Sequence, residues 1–242
     1  MRNFTLFILL FFTISKPVYG QKTKDPIQGK NILIVYGGWE GHQPEIFAHK
    51  IADWFNSKSA NVTLSKDTEI YTQKELMKKI DLVINHITMS EMSYQASEGL
   101  REAVASGTGL AGCHGGLGDS FRDDTEYQYM VGGQFVKHPG GQVDYNVHIT
   151  AEQDSITAGI QDFNLHTEQY FMHYDPSIKV LATTTFTGAH DPWIEGIIMP
   201  VIWKKYYGKG RVFYSALGHS EDLFDRSDVW TLMTRGAVWA IR

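Results

Sequence analysis

The sequence predicts an α/β fold built on a parallel sheet with helices on both faces. Three observations predict it. Short apolar runs at residues 31–36, 81–86 and 108–112 alternate with helical patterns at 44–57 and 90–106. The turns between them are short, and each run stops abruptly at glycine or polar residues. The runs are also unbroken rather than alternating, as expected of parallel strands buried on both faces.

The first run, Asn31-Ile32-Leu33-Ile34-Val35-Tyr36, ends at Gly37-Gly38. Pro44 then opens a helix to about residue 57, with Ile46, Phe47, Ile51, Trp54 and Phe55 on one face. A second strand is expected at 62–65 and a short helix at 73–79, before the strand at 81–86. Ser90 is a candidate cap for the helix that Gly107 stops. The second half alternates more. Val143, Tyr145, Val147 and Ile149 mark a half-exposed strand, and further strands are expected at 179–186, 197–204 and 211–216. Tyr207-Gly208-Lys209-Gly210 reads as a hairpin, and residues 229–241 as a closing helix capped by Ser227 or Asp228. No repeat, linker or low-complexity segment interrupts residues 31–242, which read as one domain.

Residues 1–20 read as a secretory signal peptide: Arg2, an apolar stretch over 4–14, then Val18-Tyr19-Gly20 before Gln21. Residues 21–30 read as a flexible leader. The expected location is therefore periplasmic or secreted, with no lipid attachment at Gln21 and no membrane contact after cleavage. Cleavage would remove Arg2 and Lys16, leaving 20 basic against 27 acidic residues. An acidic chain without basic clusters argues against a nucleic-acid partner. A single cysteine cannot form an internal disulfide, so Cys113 is either packed and inert or kept for chemistry.

Ligands of open parallel sheets bind beyond the carboxyl ends of the strands, and His42, His86 and His114 all fall near such ends. The densest signal is Gly109-Leu110-Ala111-Gly112-Cys113-His114-Gly115-Gly116, a strand running into a glycine-flanked elbow. There Cys113 could be a nucleophile, and His114 a general base or a metal ligand; plain packing is the alternative. A glycine-rich stretch at 132–141 carries His138 but lacks phosphate-loop spacing. His166-Thr167-Glu168-Gln169-Tyr170-Phe171-Met172-His173 suits binding of a polyol. If extended, it places His166, Glu168 and Tyr170 on one face and His173 on the other. Leu217-Gly218-His219-Ser220-Glu221 resembles a base with an orienting carboxylate. No histidines show helical i, i+4 zinc spacing, so a metal site would have to be assembled from separate loops.

From residue 31 to 242 the order of motifs resembles the ThuA-like family, named for trehalose utilisation. The matching segments are Ile32 to Gly38, Gly109 to Gly116, Gly132-Gly133-Gln134-Phe135-Val136-Lys137-His138-Pro139 and Thr167-Glu168-Gln169-Tyr170. Tyr207-Gly208-Lys209-Gly210-Arg211-Val212-Phe213-Tyr214 with Leu217-Gly218-His219, and Arg235-Gly236-Ala237-Val238-Trp239-Ala240, also match. The resemblance implies a flavodoxin-like three-layer sandwich with a mostly parallel central sheet, of the class I glutamine amidotransferase-like type. In relatives of that fold, including PfpI-type enzymes, Cys113 would stand at the nucleophile position. ThuA-like chains usually carry an aliphatic residue there, so His114 is the residue that matches the family.

The leading expectation is an enzyme of carbohydrate metabolism (a hydrolase, lyase or isomerase) acting on a sugar or keto-sugar derivative by acid–base chemistry. His114, His219, Glu221 and Cys113 are its candidate catalytic residues. His42, His138, Glu168, Tyr170 and His173 are candidates for binding the substrate. If a divalent metal is used, His114, His42 and His138 are its candidate ligands. The competing readings are a non-catalytic saccharide-binding protein and a Cys113-dependent hydrolase; self-association is left open.

Overall fold

Along residues 25–242, the part described by this computed structural model, eleven strands and six helices follow one another. In order they are β1 (Asn31–Gly38), α1 (Pro44–Ser57), β2 (Asn61–Ser65), α2 (Lys74–Met77), β3 (Leu82–Thr88), α3 (Tyr94–Ser106) and β4 (Gly109–Cys113). Then come α4 (Gly115–Gly118), α5 (Thr125–Val131), β5 (Gly133–Lys137), β6 (Gln142–Ile149), β7 (Phe163–Glu168) and β8 (Phe171–Tyr174). β9 (Lys179–Thr185), β10 (Ile198–Tyr207), β11 (Gly210–Ser215) and α6 (Ser227–Ala240) complete the chain. The expected signal peptide lies outside the described residues. No helix among them is long and apolar enough to cross a membrane.

Nine strands form one sheet in the order β2-β1-β3-β4-β11-β10-β9-β6-β7, and β5 pairs with β8 separately. The pairings from β2 to β11 are parallel. Those from β11 to β7 are antiparallel. The sheet is therefore mixed, and the expectation of a mostly parallel sheet holds for only half of it. The reason lies in the connections. The helices α1 and α3 carry the chain back to start parallel neighbours, whereas the turn at Gly208, with φ +59°, folds β10 directly onto β11.

Burial follows the pattern that predicted each element. β3 and β4 are buried at every position, while β6 alternates. On α1, Phe47, Ile51 and Phe55 are buried, each stabilising the fold by roughly 1.5–3 kcal/mol. Ile46 does not join that face and is 50% exposed. The cap of α3 is Ser93, whose side chain accepts from the Ala96 N–H, rather than Ser90, whose N–H donates to Ser120 O. Neither Ser227 nor Asp228 occupies the cap of α6. That position falls to Arg226, which Asp228 holds through its guanidinium.

Candidate functional site

His114 sits between the end of β4 and the start of α4 with φ 50° and ψ −141°. A side chain in that region costs about 1–3 kcal/mol unless its surroundings hold it there. Here they do. The His114 N–H donates to Ser215 O on the neighbouring strand at 2.6 Å. Its carbonyl accepts from the Gly118 N–H at 2.9 Å and the Tyr214 hydroxyl at 3.2 Å. The elbow therefore turns on His114 itself, and Cys113 is the last residue of the strand. Gly115 keeps the turn close to its neighbours, since a Cβ there would lie 2.7 Å from His42 Cε1. Below the elbow, buried Asn85 donates to Gly116 O at 2.8 Å and accepts from the Tyr71 hydroxyl at 2.9 Å.

The ends of β1, β4 and β11 bring imidazoles to one place, with β3 between the first two. The pairing of Gly38 with Thr88 ends β1 and β3 at the same level. The turn Glu40–His42 then folds His42 back, so that its Nδ1 lies 2.9 Å from Thr88 Oγ1. β4 and β11 end together at Cys113 and Ser215, which puts the Ala216 carbonyl under His114 and His219 just beyond it. The antiparallel half adds Glu168, the last residue of β7, whose carbonyl accepts from the Tyr145 hydroxyl at 3.2 Å. Glu168 Oε2 lies 3.1 Å from His114 Nε2 and 3.1 Å from His219 Nδ1. Glu168 Oε1 lies 3.6 Å from Nε2 of His138, a residue that follows β5 and is partly exposed. Tyr170 stacks on His114 at 4.1 Å, with its hydroxyl 2.8 Å from His114 Nε2.

The protonation of this cluster follows from its partners. A carbonyl only accepts, so His114 Nδ1–H donates to Ala216 O at 2.8 Å, and the neutral ring carries its lone pair on Nε2. Burial lowers the His114 pKa, with Glu168 and the Ala216 carbonyl opposing. Burial, helped by the neighbouring His114 and His219, lowers that of His42 to about 3. Burial pushes the Glu168 carboxyl up, but hydrogen bonding and charge from His114 and His219 outweigh it and hold it well below its usual range. The Glu168 carboxylate thus stays ionised opposite His42 and His114, whose rings burial keeps from charging. One donor atom each from His42, His114, Glu168 and His219 lies within 4.8 Å of the others. These four could hold a metal ion; His138, named from sequence as a ligand, stands at the edge instead.

Several sequence-predicted residues lie elsewhere. Cys113 is fully buried beside His86, its Sγ 3.8 Å from His86 Nδ1, and burial pushes its thiol far up. That is the reverse of what a thiolate nucleophile needs. His86 lies inside β3 against Phe47 and stays within the core. Glu221 does not orient His219. It begins a turn that packs toward α1, and its carboxylate accepts from Lys50 Nζ at 2.6 Å. The carboxylate beside His219 is that of Glu168, which the sequence suggests only as a substrate-binding residue. The segment 166–173 is not one strand, because Gln169 and Tyr170 break it between β7 and β8. His166 therefore turns outward to Asp144, and His173, paired in register with Gln134, is exposed. Sequence reasoning missed Thr88, which lies against His42 Nδ1; the hydroxyl that closes β3 was the available signal.

A cavity of about 750 Å³ abuts the antiparallel wall of the cluster, lined among others by Tyr145, His166, Gln169 and Asp191. None of the four clustered donors lines it.

The family model for ThuA, described as trehalose utilisation, matches residues 31–240. The chain belongs to this family. Among solved structures it is similar to a thua-like protein from Bacteroides uniformis ATCC 8492, with 15% identity and a TM-score of 0.70 over 92% of this chain and 94% of that one. A thua-like protein from Parabacteroides merdae ATCC 43184 matches with 16% identity and a TM-score of 0.71, over 88% and 90%. Part of a β-galactosidase from Bacillus circulans sp. alkalophilus has the same fold, with 14% identity and a TM-score of 0.52 over 86% of this chain and 30% of that one. At these identities the likeness is one of fold. No curated protein matches the sequence.

Proposed function

We propose that this member of the ThuA family is an exported enzyme of carbohydrate metabolism that acts on a sugar or keto-sugar derivative. One observation carries the reading: three imidazoles and a carboxylate from separated segments converge beyond the strand ends. The family's trehalose-utilisation description supports the substrate class. The apolar stretch after Arg2 supports export. The strand order β2-β1-β3-β4-β11 supports reading the core as a flavodoxin-like, amidotransferase-like three-layer sandwich.

The chemistry suits a ketone. A carbonyl acidifies the hydrogen on the neighbouring carbon, and a lone pair in a desolvated site can take that proton. His114 Nε2 is such a lone pair, oriented by the Ala216 carbonyl. Glu168 would stabilise the imidazolium that forms, and the Tyr170 hydroxyl would return a proton to oxygen. His138, at the exposed edge, and the polar lining of the adjoining cavity would bind sugar hydroxyls. A sulfur nucleophile has no part.

The test is turnover of disaccharides oxidised to ketones at a ring carbon, followed by NMR. His114→Ala should lower kcat/KM by about 10²–10⁴-fold. An unchanged rate on a substrate that the wild type consumes rejects the arrangement.

A further inference from the structure

We propose that His42, His114, His219 and Glu168 form a binding site for a divalent first-row transition-metal ion. This goes beyond the sugar reading and stands whatever the substrate. The first argument is geometric. Zinc-type ions take imidazole nitrogen and carboxylate oxygen at about 2.0–2.2 Å, so two ligands of one ion lie at most about 4.2 Å apart. The four donor atoms here lie within 4.8 Å of one another, a gap that small side-chain rotations close.

The second argument is where the donor atoms point. With Nδ1 against Ala216 O, His114 directs Nε2 at Glu168 Oε2, only 3.1 Å away. His219 Nδ1 points at the same oxygen from 3.1 Å, yet it is buried without a hydrogen bond. Two nitrogens thus lie within 3.1 Å of one carboxylate oxygen, an arrangement that a cation among them would draw together.

A third observation concerns what stands behind the donors. Metal-binding imidazoles usually give their other nitrogen to a carbonyl, hydroxyl or carboxylate, which sets the ring's orientation. Here Ala216 O holds His114 Nδ1, and Thr88 Oγ1 holds His42 Nδ1. Both rings thereby turn Nε2 inward. A pure acid–base couple requires one such support; the structure has two, on rings that meet at 4.7 Å. Three nitrogens with one oxygen favour zinc, iron, cobalt or nickel over magnesium or calcium, which prefer all-oxygen sites. A cation there would polarise a substrate carbonyl, and in the loaded protein His114 Nε2 would serve as its ligand rather than as the base.

The experiment uses untagged protein stripped with a chelator and then titrated with Co²⁺ and Zn²⁺, with bound metal counted by mass spectrometry. The expected result is one ion per chain and a Co²⁺ visible spectrum of nitrogen and oxygen ligands. His114→Ala and Glu168→Ala should abolish stoichiometric binding. Thr88→Val, which leaves every ligand in place, should weaken it about 10- to 100-fold. Glu221→Gln should leave it unchanged. Circular dichroism checks that each variant folds, and Thr88→Val carries the test if a ligand variant does not. No stoichiometric binding by the wild type overturns the proposal, as does binding that survives in folded ligand variants. Turnover is scored apart: a loaded protein that consumes no keto sugar counts against the substrate reading alone, because the titration decides the metal site.

Discussion

The parallel and antiparallel halves of the sheet build this site in different ways. From β1 to β4 the chain returns through helices, and the hairpin from β10 sets β11 parallel beside β4. These strands therefore end at one rim, and the residues just past their ends meet. His42, His114 and His219 arrive by that route. From β10 to β7 neighbouring strands run in opposite directions, so only a strand that ends on the correct side can contribute. β7 does so, with Glu168 as its final residue. The parallel half thus supplies several similar groups, three imidazoles, while the antiparallel half supplies the carboxylate that meets them. A site of this kind can gain or lose its carboxylate through changes at an edge strand without disturbing the rim that carries the histidines.

The largest expected effect tests that division. Glu168→Gln keeps the shape and removes the charge, and it should lower kcat/KM on a keto-sugar substrate by at least about 10²-fold with little change in Tm. Full activity in Glu168→Gln alongside an inactive His114→Ala would mean that the antiparallel half contributes no chemistry. A stability measurement probes the parallel rim. A Cβ at Gly116 would run into the ring of His86, so Gly116→Ala should cost about 1–3 kcal/mol in urea unfolding. Wild-type stability in that variant would show that the rim yields more than close packing allows.

Acid tests the desolvation of the parallel half. Burial, helped by repulsion from His114, lowers the His86 pKa to about 3, against 6.5 for an unperturbed imidazole. Between those values the unfolded chain holds the extra proton and the folded chain does not, so stability falls as the pH falls. The slope for this one group is about 1.4 kcal/mol per pH unit between roughly pH 6.5 and 3, and none above that range. Unfolding midpoints across this range, with chelator present, should be flatter in His86→Phe. An identical slope would place the acid sensitivity elsewhere. The smallest effects are expected outside the cluster. Glu221→Gln loses a surface pairing with Lys50 and should change stability by under about 1 kcal/mol and activity not at all. Cys113→Ser should leave turnover within a few-fold; near-complete loss would restore the thiol mechanism.

Legibility in the sequence divides along the same line. The runs that became β1, β3 and β4, the Pro44 start of α1 and the Gly107 end of α3 could be read because each is a local pattern of period or turn chemistry. The elbow is legible, but the sequence offers Cys113 together with His114, whereas the positive φ belongs to His114 alone. The sequence does not mark β5, β7 or β8 as strands. β7 and β8 form around a two-residue break, so no continuous alternation marks them, and β5 lies in a stretch whose glycines read as loop.

Residue patterns along the chain were sufficient for the α/β class, for the rim where a ligand would bind, and for the histidines that stand on it. Those features follow from neighbours within a few positions, where backbone sterics and side-chain periodicity act. Which carboxylate answers the histidines was decided only by the folded chain. Glu221 stands two residues from His219 yet turns away to Lys50, while Glu168, 54 positions from His114, closes on both rings. That choice depends on where β7 ends against β6 and on the desolvation of the space between the two halves, and neither is written in any local stretch of sequence.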